Sequence, residues 1–177
     1  MTASHPIRVL IVDDHAMVRS GLRQFVETFD DFTLAGEAMN GAEAVAFCLA
    51  DPPDVVLMDL FMPVMDGIEA TRQIIQHNSD IKIIALSNFQ QQDMVEQALQ
   101  VGAISYLLKN VTSDELAKAI REAVSGRSTL SPEAARVLMW PCWCAVCVRL
   151  WLPINCNAWA PPQHSLASVL LKNSASR

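Results

Sequence analysis

The sequence contains no run of about 18 uninterrupted apolar residues, so no membrane-spanning helix is expected. No secretory signal opens it either. Residues 1–6 are polar and lead straight into a strand-like segment, which makes a cytoplasmic address the expectation. Charged residues make up only 18%, but 51% are hydrophobic, and that balance marks a globular chain rather than a disordered one. Internal repeats and low-complexity tracts are missing. The 177 residues can hold one domain of ordinary size with a proper core, plus a short appendage.

The most informative shortage is local. Residues 140–177 contain no Asp or Glu, although the chain's own acid frequency would place about four there. All 19 acidic residues fall within residues 1–139, against 10 Lys and Arg, for a net charge of −9. The remainder carries only Arg149, Lys172 and Arg177, for +3, yet it holds all four Trp and four of the five Cys. Two differently composed polypeptides meet near Met139.

From residue 7 to about residue 125, short apolar runs alternate with amphipathic stretches five times over. The runs Ile7–Val12, 33–38, Val55–Asp59, 81–87 and Ser105–Leu108 are strand-length and partly β-branched. Between them, Ala16–Thr28, 41–49, 67–76 and 91–100 carry apolar residues at helical spacing. In the first of these, Val18, Leu22, Phe25 and Val26 form the apolar face, with Arg19, Arg23 and Glu27 expected to face water. A last helix opens on the capping box Thr112-Ser113-Asp114-Glu115 and closes at Gly126. Such alternation predicts an α/β fold: a five-stranded parallel doubly wound sheet, order 2-1-3-4-5, flavodoxin-like, with helices on both faces. The domain is expected to span residues 1–126. A linker and the start of a helix, signalled by Ser131-Pro132-Glu133, would follow over 127–139.

Four of the predicted strands finish on polar residues. Asp13-Asp14, Asp59, Ser87 and Lys109 supply three carboxylates, a hydroxyl and an ammonium. In an open parallel sheet the carboxyl ends face one crevice, so these residues can converge. Such a cluster suits Mg²⁺, a hard cation that prefers oxygen ligands. Asp14 and Asp59 can each offer an oxygen, Asp13 can hold a coordinated water, and the backbone carbonyl of Phe61 can complete the set. Lys109 would offset charge on a transferring phosphoryl group, Asp59 would be its nucleophilic acceptor, and Ser87 could donate to a phosphoryl oxygen. Each residue also has a bland reading. An Asp pair often caps a loop, Asp66-Gly67 serves as a turn and helix start, Ser87 could satisfy a turn, and Tyr106 could be a half-buried sheet residue. His15 reads as a helix-start residue without a catalytic role. The joint placement of four strand ends is what these separate readings leave unexplained.

Asp13-Asp14, Asp59 in the frame D-L-F-M-P-V-M-D-G, Ser87 and Tyr106-Leu107-Leu108-Lys109 together resemble the receiver domain of bacterial two-component response regulators. The resemblance covers about residues 6–126. It implies a signalling phosphoacceptor, not a turnover enzyme, that takes a phosphoryl group on Asp59 from a sensor histidine kinase. Ser87 would then move toward the phosphate and Tyr106 would swing inward. A homodimer formed on phosphorylation is a further expectation. Asp13-Asp14-His15 with Leu130-Ser131-Pro132 is similar to the LuxR-type subfamily, in which a helix-turn-helix DNA-binding domain follows. One departure is Asn110, where many receivers have proline. Phe61 and Phe89, two residues beyond Asp59 and Ser87, flank the expected path of an attacking water and predict a slowly decaying phospho-form.

A haloacid-dehalogenase-like phosphatase is the alternative with a nucleophilic aspartate. It would need D-x-D after the first strand and a cap domain, and this sequence has neither. The tail fits neither family. Residues 140–177 carry three scattered bases and are too short for a four-helix DNA-binding domain, so direct DNA binding by this chain is not expected. Cys142, Cys144, Cys147 and Cys156, with His164, lack the paired spacing of common zinc modules. Arg149 and the prolines likewise spoil an interfacial helix. A shifted reading frame or truncated gene is the most economical reading of the tail; a novel output segment is the alternative.

Overall fold

The computed structural model describes residues 5–88 and 92–127. Over them, strands and helices alternate as β1 (Ile7–Val12), α1 (Ala16–Thr28), β2 (Phe32–Ala38), α2 (Gly41–Ala50), β3 (Val55–Asp59), α3 (Gly67–His77), β4 (Lys82–Ser87), α4 (Gln92–Gln100), β5 (Ser105–Leu108) and α5 (Ser113–Val124). All strand pairings are parallel and the order is β2-β1-β3-β4-β5. The expected fold is therefore the one present, with its order reversing between β1 and β3. Boundaries move by a residue or so. Ile81, expected to begin β4, instead packs in the core just ahead of it, because pairing with β3 starts at Lys82 opposite Val55. The expectations for residues 128–177 and for Phe89 fall outside the described residues.

Strand periodicity builds the layers. In β1, Val9 and Ile11 point to one face of the sheet and Leu10 and Val12 to the other. The first face meets α1 and α5 through Val26, Leu116 and Ile120, together with Leu57 and Ile84. The second meets α2 and α3 through Ala44, Cys48, Ala70 and Ile74. Farther along the sheet, α4 covers Ala85, Tyr106 and Leu108 with Val95 and Ala98. Each fully buried aliphatic side chain contributes about 1.5–3 kcal/mol, and the central strand β3 is buried throughout.

Local signals set the helix starts that border the crevice. The Thr112 side chain accepts from the Glu115 N–H at 3.3 Å, while the Thr112 N–H donates to Glu115 Oε2 at 3.0 Å, completing the capping box. Asp66 caps α3 by accepting from the Glu69 N–H at 2.8 Å, and Asn40 caps α2 in the same way. Asp66 is thus a cap and not a member of the acidic cluster. At the far end of α5, Arg121 grips both oxygens of Asp31 at 2.7 and 2.9 Å and lies over the rings of Phe29 and Phe32.

Gly67 sits where α3 passes closest to the end of β3. A Cβ there would collide with the Asp59 carbonyl oxygen and lie 2.9 Å from both the Asp59 carbonyl carbon and Leu60 Cα. Backbone cannot rotate away as a side chain can, so only glycine fits. Gly67→Ala should lower the urea-unfolding free energy by about 1–3 kcal/mol through this overpacking. An unchanged midpoint would show that the helix can shift at no cost.

Candidate functional site

The crevice at the carboxyl edge gathers side chains from three strand ends around one ammonium. Asp13 follows β1, Asp59 closes β3 and Lys109 follows β5. Lys109 Nζ lies 2.6 Å from Asp13 Oδ2 and 2.8 Å from Asp59 Oδ2. Backbone bonds keep those ends level: the Asp13 N–H donates to the Ala38 carbonyl at 3.2 Å, and the Lys109 N–H to the Ser87 carbonyl at 2.9 Å. The Asp59 Oδ1 atom accepts the Phe61 N–H at 3.3 Å. Asp13 Oδ1 accepts the His15 N–H at 2.9 Å, so both Asp13 oxygens are engaged.

Asp14 differs from its neighbour. Its Oδ1 atom is buried and makes no hydrogen bond; His15 Nδ1 lies 2.6 Å away as its one ion-pair contact. One ligand atom from each of Asp13, Asp14, His15 and Asp59 can be chosen so that all lie within 4.8 Å of one another. A carboxylate oxygen with no hydrogen bond beside two further carboxylates, with one ammonium to offset three charges, is a donor set that fits a hard divalent cation. Asp14 offers the oxygen closest to that role, whereas Asp13 is held by Lys109 and the His15 N–H and Asp59 by Lys109 and the Phe61 N–H.

Burial is the largest influence on the Asp59 carboxyl and lifts its pKa above the usual carboxylate value. Lys109 and the Phe61 N–H oppose that rise, and the charge of Asp13 adds to it. For Lys109, burial works toward a lower pKa, but its bonds to Asp13 and Asp59 outweigh it and raise the value. The lysine therefore stays charged. Ser87 is buried at the end of β4, and its side chain hydrogen-bonds with Tyr106. Burial is also what chiefly raises the Tyr106 pKa.

Asp13, Asp14, Asp59 and Lys109 are brought together as the strand pattern implied. Tyr106, expected as a switch residue, is 0% exposed and packed inward under α4, which sets aside its bland reading as a half-buried sheet residue. Phe61 stands at the rim, 46% exposed. The Lys109–Asn110 peptide is trans. Arg19 is the clearest correction, since it does not face water. Its guanidinium donates to the Asp13 carbonyl oxygen at 2.8 Å and pairs with Glu37 of β2. Helical spacing placed it on the outer face, but a long side chain reaching back over the preceding turn finds the crevice. His15 also lies closer to the acids than its place as a helix-start residue suggested; its position directly after the acid pair was the available signal.

A family profile described as the response regulator receiver domain matches residues 9–121. The transcriptional regulatory protein LiaR of Bacillus subtilis (strain 168) is 49% identical over 129 residues, covering 73% of this chain and 61% of LiaR. The response regulator protein VraR of Staphylococcus aureus (strain Mu3 / ATCC 700698) is 42% identical over 127 residues, covering 72% of this chain and 61% of VraR. The chain thus spans about 61% of the length of these curated relatives. Among solved structures, a LuxR-family two-component response regulator from Aurantimonas sp. SI85-9A1 superposes with a TM-score of 0.72 at 34% identity, covering 76% of this chain and 96% of that one.

A carboxyl whose pKa is higher in the folded chain than in the unfolded one costs stability once ionised. The cost is absent below the unfolded pKa and sets in as pH rises through the folded one. In chelator at pH 7, Asp59→Asn should therefore raise the unfolding free energy, and the gain should vanish at acid pH. A destabilised variant at neutral pH would mean that the Lys109 pairing outweighs the burial of Asp59.

Proposed function

Because this chain belongs to the response regulator receiver domain family, we propose that it accepts a phosphoryl group on Asp59 from a sensor histidine kinase. The observation that carries the reading is Lys109 bridging Asp13 and Asp59 beside an Asp14 oxygen that makes no hydrogen bond. An Asp59 carboxylate oxygen attacks phosphorus, forming an acyl phosphate. The phosphorus–nitrogen bond of a phosphohistidine breaks, and its electron pair stays on the imidazole. Lys109, already on Asp59, is placed to follow the charge as it moves onto the phosphoryl oxygens. Mg²⁺ is the cation we assign, held by Asp14, Asp59, the Phe61 backbone carbonyl and, through a water, Asp13. When bound it would neutralise charge on the transferring group. The protein promotes only its own phosphorylation and dephosphorylation, and in that sense it is a switch and not a turnover enzyme.

Ser87 and Tyr106 are the switch pair in this reading. Their side chains are bonded to each other, so a Ser87 hydroxyl drawn toward a phosphoryl oxygen must give up or re-aim that bond, which ties the acceptor end of β4 to β5 and the α4 face. The kinase would approach the crevice over a rim that carries much of the exposed apolar surface of the described residues: Met17, Met39, Phe61 and Val64. The role calls for a cytoplasmic location. No described helix is long and apolar enough to cross a membrane. Dimer formation on phosphorylation and control of transcription, the activity named for LiaR, are the whole-protein part of the proposal. Direct DNA contact is not assigned to this chain, given only three bases beyond residue 139.

Incubation with an acyl phosphate should label the chain stoichiometrically and only with Mg²⁺, and Asp59→Ala should abolish the label. Sustained turnover of phosphate esters would instead point to a hydrolase. Once labelled, a double variant with small polar residues at Phe61 and Phe89 should lose its phosphoryl group several-fold faster than wild type. Equal decay rates would remove the aromatic shield from the account.

A further inference from the structure

Arg19 has an unusual position for a charged residue on a surface helix. Its side chain is 13% exposed, and Nη1 donates to the carbonyl oxygen of Asp13 at 2.8 Å. From the other side, Glu37 Oε2 lies 3.4 Å from Arg19 Nε. Glu37 is itself held by Arg23, whose Nε donates to Oε1 at 2.6 Å. The residue after Glu37 is Ala38, whose carbonyl accepts the Asp13 N–H at 3.2 Å. Both peptide groups that flank Asp13 are therefore tied down, one by β2 and one by Arg19.

The peptide held by Arg19 is the one that leads into Asp14. Its plane sets the direction in which Asp14 leaves the chain, and Asp14 is the residue whose Oδ1 is buried without a hydrogen-bond partner. A simple tie between α1 and β2 would not need this contact. Arg23 already makes that ion pair with Glu37, and Leu22, Phe25 and Val26 pack α1 on the core. What Arg19 adds is a grip on the backbone between the two acids. Such outer contacts commonly orient the groups that touch a metal.

We propose that Arg19 is a positioning residue for divalent-cation binding: it fixes the Asp13–Asp14 peptide, and Glu37 orients its guanidinium. The inference rests on the reading of the acid pair as a cation site. Arg19 touches neither the cation nor the phosphoryl group, so it acts only through Asp14.

The test is a Mg²⁺ titration of the full chain, followed by amide NMR shifts without any phosphoryl donor and paired with urea unfolding. Arg19→Met keeps the aliphatic stem and removes the donors. It should weaken Mg²⁺ binding by about tenfold, as loss of such an orienting contact does in other metal sites. Arg19→Lys should recover part of the loss, because an ammonium can donate to the same carbonyl. Arg23→Met, which removes only a holder of Glu37, should lower stability and weaken Mg²⁺ binding less than Arg19→Met does. Should Arg19→Met not fold, Glu37→Gln leaves the arginine in place but loosened, and a smaller loss of affinity is expected. Equal effects at Arg19 and Arg23, or wild-type affinity in both Arg19→Met and Glu37→Gln, would overturn the proposal. Absence of Mg²⁺ binding in the wild type would overturn the cation-site reading itself, and the inference with it.

Discussion

The Lys109 ammonium, 2.6 Å from Asp13 and 2.8 Å from Asp59, is the interaction on which the crevice depends. Three carboxylates from two strand ends would repel one another in a site where Asp13 and Asp59 are buried. One lysine from a third strand end offsets part of that charge and leaves an excess that a divalent cation would balance. Asp14 Oδ1, buried and without a hydrogen bond, has the His15 ring beside it at 2.6 Å.

Everything else holds these ends in register. Parallel pairing of β1 with β3, β3 with β4 and β4 with β5 brings residues distant in sequence to one edge. Alternate residues on each strand fill the layers on either face. The close passage of Gly67 over Asp59 lets α3 begin directly beside that carboxylate. Between them runs a loop that carries Val64 at φ +70°, 88% exposed. A β-branched residue in the left-handed region is strained, and the surrounding structure must hold it there.

Much of this could be read from the residues. Short apolar runs ending on Asp13, Asp59, Ser87 and Lys109, alternating with amphipathic stretches, point to both the parallel sheet and the convergence of its edge. The capping box at Thr112 was likewise explicit. Arg19 was not, for a physical reason: helical periodicity records which face a Cα occupies, not how far a flexible guanidinium reaches. The bond between Tyr106 and Ser87 was hidden too, since it depends on β4 and β5 being neighbours. His15 sat in view beside the acids, but only the turn into α1 brings its ring to Asp14.

The central claim is that these carboxylates and Lys109 form one cation-dependent acceptor site. A crystal structure grown in saturating Mg²⁺ tests it most directly. The account predicts an ion contacted by Asp14 and Asp59, with Lys109 still paired to Asp13. An empty crevice at saturating Mg²⁺, or an ion bound elsewhere on the chain, would contradict it.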